Sequence, residues 1–422
     1  MSSRFSARAK ENRAHTADYH LLKVIPHTNI NPFTKVKSAS GKETNILSSQ
    51  ALNLHRKRNE LVILPTTAIP STLFEGAGQI TFRLNAAPVI THDLILDFTV
   101  QNTDGAANQR ISAAPMSVDR IEFFSAGGSS PLQTILGDSI WYDTCQYYTK
   151  EQITGESTRN NIDPSTYNAV TTNISPGASV NYSFSVIGNF LSQKLFIGTI
   201  NPIDIRVTFK SATNNVIVNA GTGPIVCTDI RLRIPCEEMP DEEASKMIER
   251  FRAQPHTYRI IQTLYQQLQP TFASNQTQTI KLNGMGGLSP ELSIMFRASL
   301  AAASDAQTTL VEPSTIEILD NAGVSLMNSN SLPVDYIRKS MGIKNYPSGF
   351  GGTKSAIYIP FVEEPWRLVV GNCINQGYET FNDNQIRINA GTLNTTYFMD
   401  VFLKVYALLT IDTKGNITIQ NS

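Results

Sequence analysis

Charge is sparse in this sequence, and it is balanced. There are 35 Lys and Arg against 35 Asp and Glu, together 17% of 422 residues, where ordinary globular domains carry about a quarter. Much of the surface must therefore be neutral polar or covered by contacts. The lack of a basic excess argues against a dedicated nucleic-acid binder, whose footprint on phosphate is a surplus of Lys and Arg. Cysteine is limited to Cys145, Cys227, Cys236 and Cys373. None forms a CxxC pair, and the spacings suit neither zinc nor a secreted disulfide framework, so buried free thiols are expected. Only six histidines occur, with no H-x-H or H-E-x-x-H spacing, which disfavours a metal site. No apolar run approaches the ~20 residues of a membrane-spanning helix. The opening stretch MSSRFSARAKENRAH lacks the apolar core of a signal peptide. The N-x-S/T sequons at Asn173, Asn181, Asn275, Asn394 and Asn416 are then chance products of an Asn- and Thr-rich chain.

Catalytic motifs are missing as well. SGFGGTKS, Ser348 to Ser355, looks at first like a phosphate loop. A phosphate loop needs G-x-x-x-x-G-K-[ST] followed by a helix. Here Thr353 separates Gly352 from Lys354, and SAIYIPFVE reads as a strand. The glycines are expected to permit a tight loop before that strand. NGMGGLSP, Asn283 to Pro290, fails the dinucleotide fingerprint in the same way, since it is expected to join two strands. There is no G-x-S-x-G elbow. The pairs Glu237-Glu238, Glu242-Glu243 and Glu363-Glu364 are read as solvated rim charges, because neighbours in a strand point to opposite faces. No catalytic residue, cofactor, metal or small-molecule substrate is expected.

What is present is period-2 alternation, the mark of a strand with one buried face. Ile80, Phe82 and Leu84 alternate with Thr81 and Arg83; Leu94, Leu96, Phe98 and Val100 form one face of DLILDFTV; Ile205, Val207 and Phe209 do the same in DIRVTFK. The pattern occurs twice. FRLN from Phe82 is echoed by IKLN from Ile280, DLILDFTV from Asp93 by ELSIMFRA from Glu291, and IEFFSAGG from Ile121 by IEILDNAG from Ile316. DIRVTF from Asp204 is echoed by QIRINA from Gln385, and TDIRLRI from Thr228 by MDVFLKV from Met399. Five echoes in the same order predict two domains of one β fold. About eight strands per half, separated by turn residues, is the count of a jelly roll.

The expected fold is therefore all-β, with two tandem eight-stranded antiparallel jelly rolls and short inserted helices. Residues 1–59 are read as an extended arm, 60–238 as the first roll, 239–256 as a helical connector and 257–422 as the second roll. In the connector, Ala244, Met247, Ile248 and Phe251 fall on one helical face, Asp241 is placed to cap it, and Pro255 stops it. Further helices are expected in GDSIWYDTCQYYTKEQ, Gly137 to Gln152, and at the matching place in LPVDYIRKSM, Leu332 to Met341. Trp141 is expected in a core and Trp366 in a turn; 150–179 and 299–313 are candidate outer loops. The first 24 residues carry a net charge of +3 and few large apolar groups. Their Arg4, Arg8, Lys10 and Arg13 are candidate contacts with an anionic membrane, nucleic acid or a neighbouring subunit.

Several stretches carry a family likeness: IYIPFVEEPW (Ile357 to Trp366), GYETFNDNQIRINAGTL (Gly377 to Leu393), YFMDVFLKVYALLTI (Tyr397 to Ile411), and VNYSFSVIGNFLSQ with NPIDIRVTF in the first half. Over roughly residues 60 to 420 the chain resembles the double jelly-roll major capsid proteins of tailless icosahedral DNA viruses, the tectivirus and adenovirus-type lineage. The resemblance implies a structural protein of the virion shell, assembled in the host cell. Three chains would form a pseudo-hexagonal homotrimer that tiles an icosahedral facet. Its partners would be other copies, neighbouring capsomers, penton and minor capsid proteins, with the arm toward an inner membrane or the genome. The other readings are a different virion or surface β-sandwich, such as a spike or carbohydrate-binding module, and an enzyme on a β-sandwich scaffold.

Overall fold

The alternating stretches become antiparallel strands in four principal sheets. The computed structural model describes residues 35–37, 43–45, 57–74, 78–148, 150–164, 169–170, 172–210, 217–219, 223–297, 310–326, 332–333, 357–361 and 379–421. In the first half, one sheet has the order Ser179–Ser185, Ile95–Asn102, Ile225–Glu238, Lys57–Ile63. A second has the order Gln79–Leu84, Ile203–Phe209, Val118–Ser125, Gln133–Leu136. The inward residues of both share one apolar core. Phe98 sits at its middle, 5.4 Å from Phe209 and 5.7 Å from Tyr182 between ring centroids.

The second half repeats this order. Ile357–Pro360, Glu291–Arg297, Phe398–Ile411 and His256–Leu268 are paired in series. Facing them are Thr277–Lys281, Gln385–Asn389, Thr315–Leu319 and Leu332–Pro333. Each of the five sequence echoes therefore falls on strands at equivalent sheet positions. Each half is an eight-stranded jelly roll, in which two facing sheets bury their apolar faces against each other.

Among the described residues three helices longer than a single turn punctuate the rolls: α1, Gly137–Tyr147, α2, Lys150–Asn160, and α3, Asp241–Ala253. In α3, Ala244 and Phe251 are buried and Met247 and Ile248 pack partly on the first core, the face read from the sequence. Asp241 does not cap it. Pro240 holds the cap position without a side-chain bond, because Asp241 is already the first helical residue, and Glu242 instead pairs with Lys246 at 2.6 Å. The expected helix inside Gly137 to Gln152 is two helices, and α2 occupies part of the stretch taken as an outer loop. It lies there because Ile153 is fully buried in a cluster with Trp141. Leu332 and Pro333 form a strand rather than a helix start, since they pair with Ile316 and Thr315; 334–341 lie outside the described residues. Gly286–Ser289, read as a connection, is a strand paired with Glu379–Asn382. SGFGGTKS, Trp366, Cys373, Glu363 and Glu364 also lie outside the described residues. Cys145, Cys227 and Cys236 are buried free thiols.

The halves are not independent beads. Ile260, Ala407, Leu409, Ile411 and Ile417, all from the second half, belong to the first core cluster. The turn at 412–416 docks on the first half: the Asn201 N–H donates to the Gly415 carbonyl at 2.8 Å, and Asn201 Nδ2 donates to Asn416 Oδ1 at 2.8 Å. Gly415 has φ +84°, and a Cβ there would lie 2.1 Å from the Thr199 carbonyl oxygen. Gly415→Ala is expected to cost about 1–3 kcal/mol through backbone strain and the clash. Urea denaturation reads the loss, and faster hydrogen exchange confined to Ile417–Asn421 would locate it.

Candidate functional site

Alternation along Glu291–Arg297 predicts one buried face, yet every residue of this strand is buried. Leu292, Ile294 and Phe296 point into the second core, as expected. Glu291, Ser293, Met295 and Arg297 are buried on the other side, because helix α1 of the first half covers them. The same holds for Asp400, Phe402 and Lys404 of Phe398–Ile411. The register sets Glu291 opposite Lys404, Ser293 opposite Phe402 and Met295 opposite Asp400. The outer face of the second roll is thus half of a seam between the rolls.

Helix α1 supplies the other half. Gly137 opens it so close to the chain that a Cβ would lie 2.1 Å from the Val118 carbonyl oxygen and 2.2 Å from that of Pro115; only glycine lets the helix start there. Asp138, Trp141, Tyr142 and Cys145 then follow at i, i+3, i+4 and i+7, one helical face. Trp141, Tyr142 and Cys145 join Met295 and Phe402 in an apolar cluster of their own. The Tyr142 and Phe402 rings stack at 6.2 Å, and the Tyr265 ring lies 5.2 Å from that of Phe402. Trp141 is core, as expected, but in the seam rather than inside a barrel.

Around this cluster runs a network of buried charge. Lys404 Nζ contacts Asp143 Oδ1 at 2.8 Å and Glu291 Oε1 at 2.7 Å. The Tyr358 hydroxyl donates to Glu291 Oε2 at 2.9 Å. Arg297 pairs with Asp400 and reaches Asp138 at 3.4 Å. Lys210 donates to the other Asp138 oxygen at 2.6 Å. Asp400 Oδ1 accepts from the Tyr265 hydroxyl and from Gln267 Nε2, each at 2.8 Å. The side chains of Glu291 and Asp400 are 1% and 0% exposed, so the pairs are shielded from water and salt.

Burial and pairing pull these groups in different directions. Burial raises the Asp143 carboxyl; Lys404 opposes this, Glu291 reinforces it, and the result is about 6. Burial would lower Lys404, but the two carboxylates it touches outweigh that and raise it. Asp138 is lowered despite its burial, because Lys210 and Arg297 both attract its charged form. Burial also pushes up the Cys145 thiol, making it a poor nucleophile. A buried network of this kind adds little net stability, but a wrong docking angle would strand charges, so it enforces one geometry.

The candidate contact residues Arg4, Arg8, Lys10 and Arg13 lie outside the described residues. Sequence reading missed the seam itself. Its available signal was Met295 between Ser293 and Arg297, and Phe402 between Asp400 and Lys404, large apolar residues beside polar and charged ones on the same strand faces. Among the described residues, no group of three His, Cys, Asp or Glu is placed to hold a metal, and no helix is long and apolar enough to cross a membrane.

No protein-family model matches the sequence, and no curated protein matches it. Solved structures do. The PBCV-1 virus capsid matches with a TM-score of 0.64 at 12% identity, covering 87% of this chain and 97% of that one. The Faustovirus major capsid protein matches with a TM-score of 0.59 at 10% identity, over 84% and 90%. The mavirus major capsid protein gives 0.52 at 12% identity, over 86% and 88%. The fold is a double jelly roll. Because each match covers most of both chains, the similarity includes the placement of the second roll beside the first. In the double jelly roll of this chain, that placement is held by the seam and by the docked turn at Gly415.

Proposed function

We propose that this chain is a major capsid protein, a structural component of a virion shell. The observation that carries this reading is the match of both rolls, in one arrangement, to the PBCV-1 capsid over 97% of that chain. The seam supports it. A facet tile must keep its two barrels at a fixed angle, and a buried network that tolerates one docking geometry does that. Three copies, each contributing two similar barrels, would give the six-fold-like outline of a pseudo-hexagonal capsomer, which packs against neighbouring capsomers across a flat facet. The partition into an arm (1–59), a first roll (60–238), a connector (239–256) and a second roll (257–422) belongs to this reading. So do contacts of Arg4, Arg8, Lys10 and Arg13 with a neighbour, an inner membrane or the genome, and contacts with penton and minor capsid proteins. Shell building needs no reaction, and the role proposed is not enzymatic.

Light scattering on the purified protein tests it. A mass of about 140 kDa, three times the 46.5 kDa chain, is the expected result, with particles or flat arrays seen on imaging at high concentration. A monomer that persists at high concentration would reject the capsomer and favour a spike or a carbohydrate-binding module on the same scaffold.

A further inference from the structure

We infer that the seam is a proton-sensitive latch: acidification places a proton on Asp143, beside the Lys404 ammonium that it shares with Glu291, and fastens the second roll onto the first. Among the described residues the seam sets four carboxylates, Asp138, Asp143, Glu291 and Asp400, against three cations, Lys210, Arg297 and Lys404. Asp143 and Glu291 share the Lys404 ammonium, and their side chains are 3% and 1% exposed, so ionising both sets two negative charges against this one positive charge away from water. The support is uneven. Asp138 has two cations, Asp400 has Arg297 with two neutral donors, and Glu291 has Lys404 with the Tyr358 hydroxyl. Asp143 has Lys404 only among the described residues, and shares it. The excess charge is therefore removed most readily at Asp143. The titratable groups packed around it are Asp138, Tyr142 and Cys145 on its own helix and Glu291 and Lys404 on the two strands; Arg297, Asp400, Tyr265, Tyr358 and Lys210 lie one contact further out. A cleft of about 330 Å³ lined by Ser139, Gln262, Tyr265 and Phe402 leads solvent to the Tyr265 end of the network.

The sign follows from linkage. Asp143 holds its proton up to about pH 6, against 3.8 ordinarily. The folded chain then binds more protons than the unfolded chain between those values. The stability this group contributes is full below its ordinary value and is lost as pH rises through about 6. Asp138 acts oppositely, but only near and below its ordinary range. Asp93, buried against Ser185, is also raised; it lies outside the network and is unchanged in the variants below.

Thermal melts of the full chain between about pH 5 and pH 8 test the latch. The expected melting temperature rises by about 1–2 °C on acidification across this window. Asp143→Asn, which keeps the shape but cannot ionise, flattens most of that rise. Glu291→Gln, which removes the repelling charge and keeps the Lys404–Asp143 contact, moves it to lower pH. A melting temperature that is flat or falls on acidification, or an Asp143→Asn slope equal to that of the unaltered chain, overturns the inference. Should Asp143→Asn fail to fold, infrared spectra decide. A protonated-carboxyl band near pH 6 that weakens in Glu291→Gln supports the latch, and its absence from the unaltered chain sinks it.

Discussion

Replacing Lys404 with Met is expected to destabilise the protein by about 3–5 kcal/mol, the usual consequence of removing one partner from a buried ion pair. Methionine fills most of the lysine volume, so the loss is electrostatic rather than a cavity. Asp143 and Glu291 both touch the Lys404 ammonium; without it, two carboxylates face each other out of water. Each must take up a proton or draw water into the seam. Urea denaturation at neutral pH reads the effect. The loss should shrink on acidification, as the stranded carboxylates become neutral. Adding Asp143→Asn to Lys404→Met should recover part of the stability, and the non-additivity would measure the coupling between them. A loss under about 1 kcal/mol, the range of exposed pairs, would mean that solvent enters the seam freely and that the network does not fix the barrels.

Truncating Phe402 to Ala is expected to cost a similar amount, about 3–5 kcal/mol, for a different reason. Phe402 is 2% exposed and packs against the rings of Tyr142 and Tyr265. Its loss leaves a cavity where the two rolls meet, and the surrounding backbone, held by strand pairing to Tyr265 and Ser293, cannot close on it. Because each roll retains a core of its own, the variant should melt in two steps where the unaltered chain melts in one. Differential scanning calorimetry distinguishes the cases. The Phe402 effect should depend little on pH, unlike that of Lys404. A single transition displaced by less than a degree would show that Phe402 carries none of the inter-roll contact.

Much of the barrel architecture was legible in the chain. Strand pairs such as Asp93 to Val100 and Glu291 to Ala298 alternate so strictly that period, core face and duplication could be read together. Helix α3 was legible for the same reason, its apolar residues recurring at helical spacing. What failed did so at particular places. Asp241 has the chemistry of a cap, but the helix begins one residue earlier than that role requires. Leu332 opens a stretch with a helical pattern, but pairing with Ile316 decides a two-residue strand against it.

The seam was not legible, because alternation distinguishes two faces of a strand without saying what lies on the second. Glu291, Arg297, Asp400 and Lys404 look like residues for solvent, and in an isolated barrel they would be. They are buried because α1, more than a hundred residues earlier, is carried onto them when the second roll docks. The sequence alone determined that the chain is β, that it is duplicated and which side of each strand is apolar, since these depend on residues two or four positions apart. Tertiary structure decided that the polar side of one sheet is also interior. Burial of a charge depends on partners brought from elsewhere in the chain, and local pattern does not encode them.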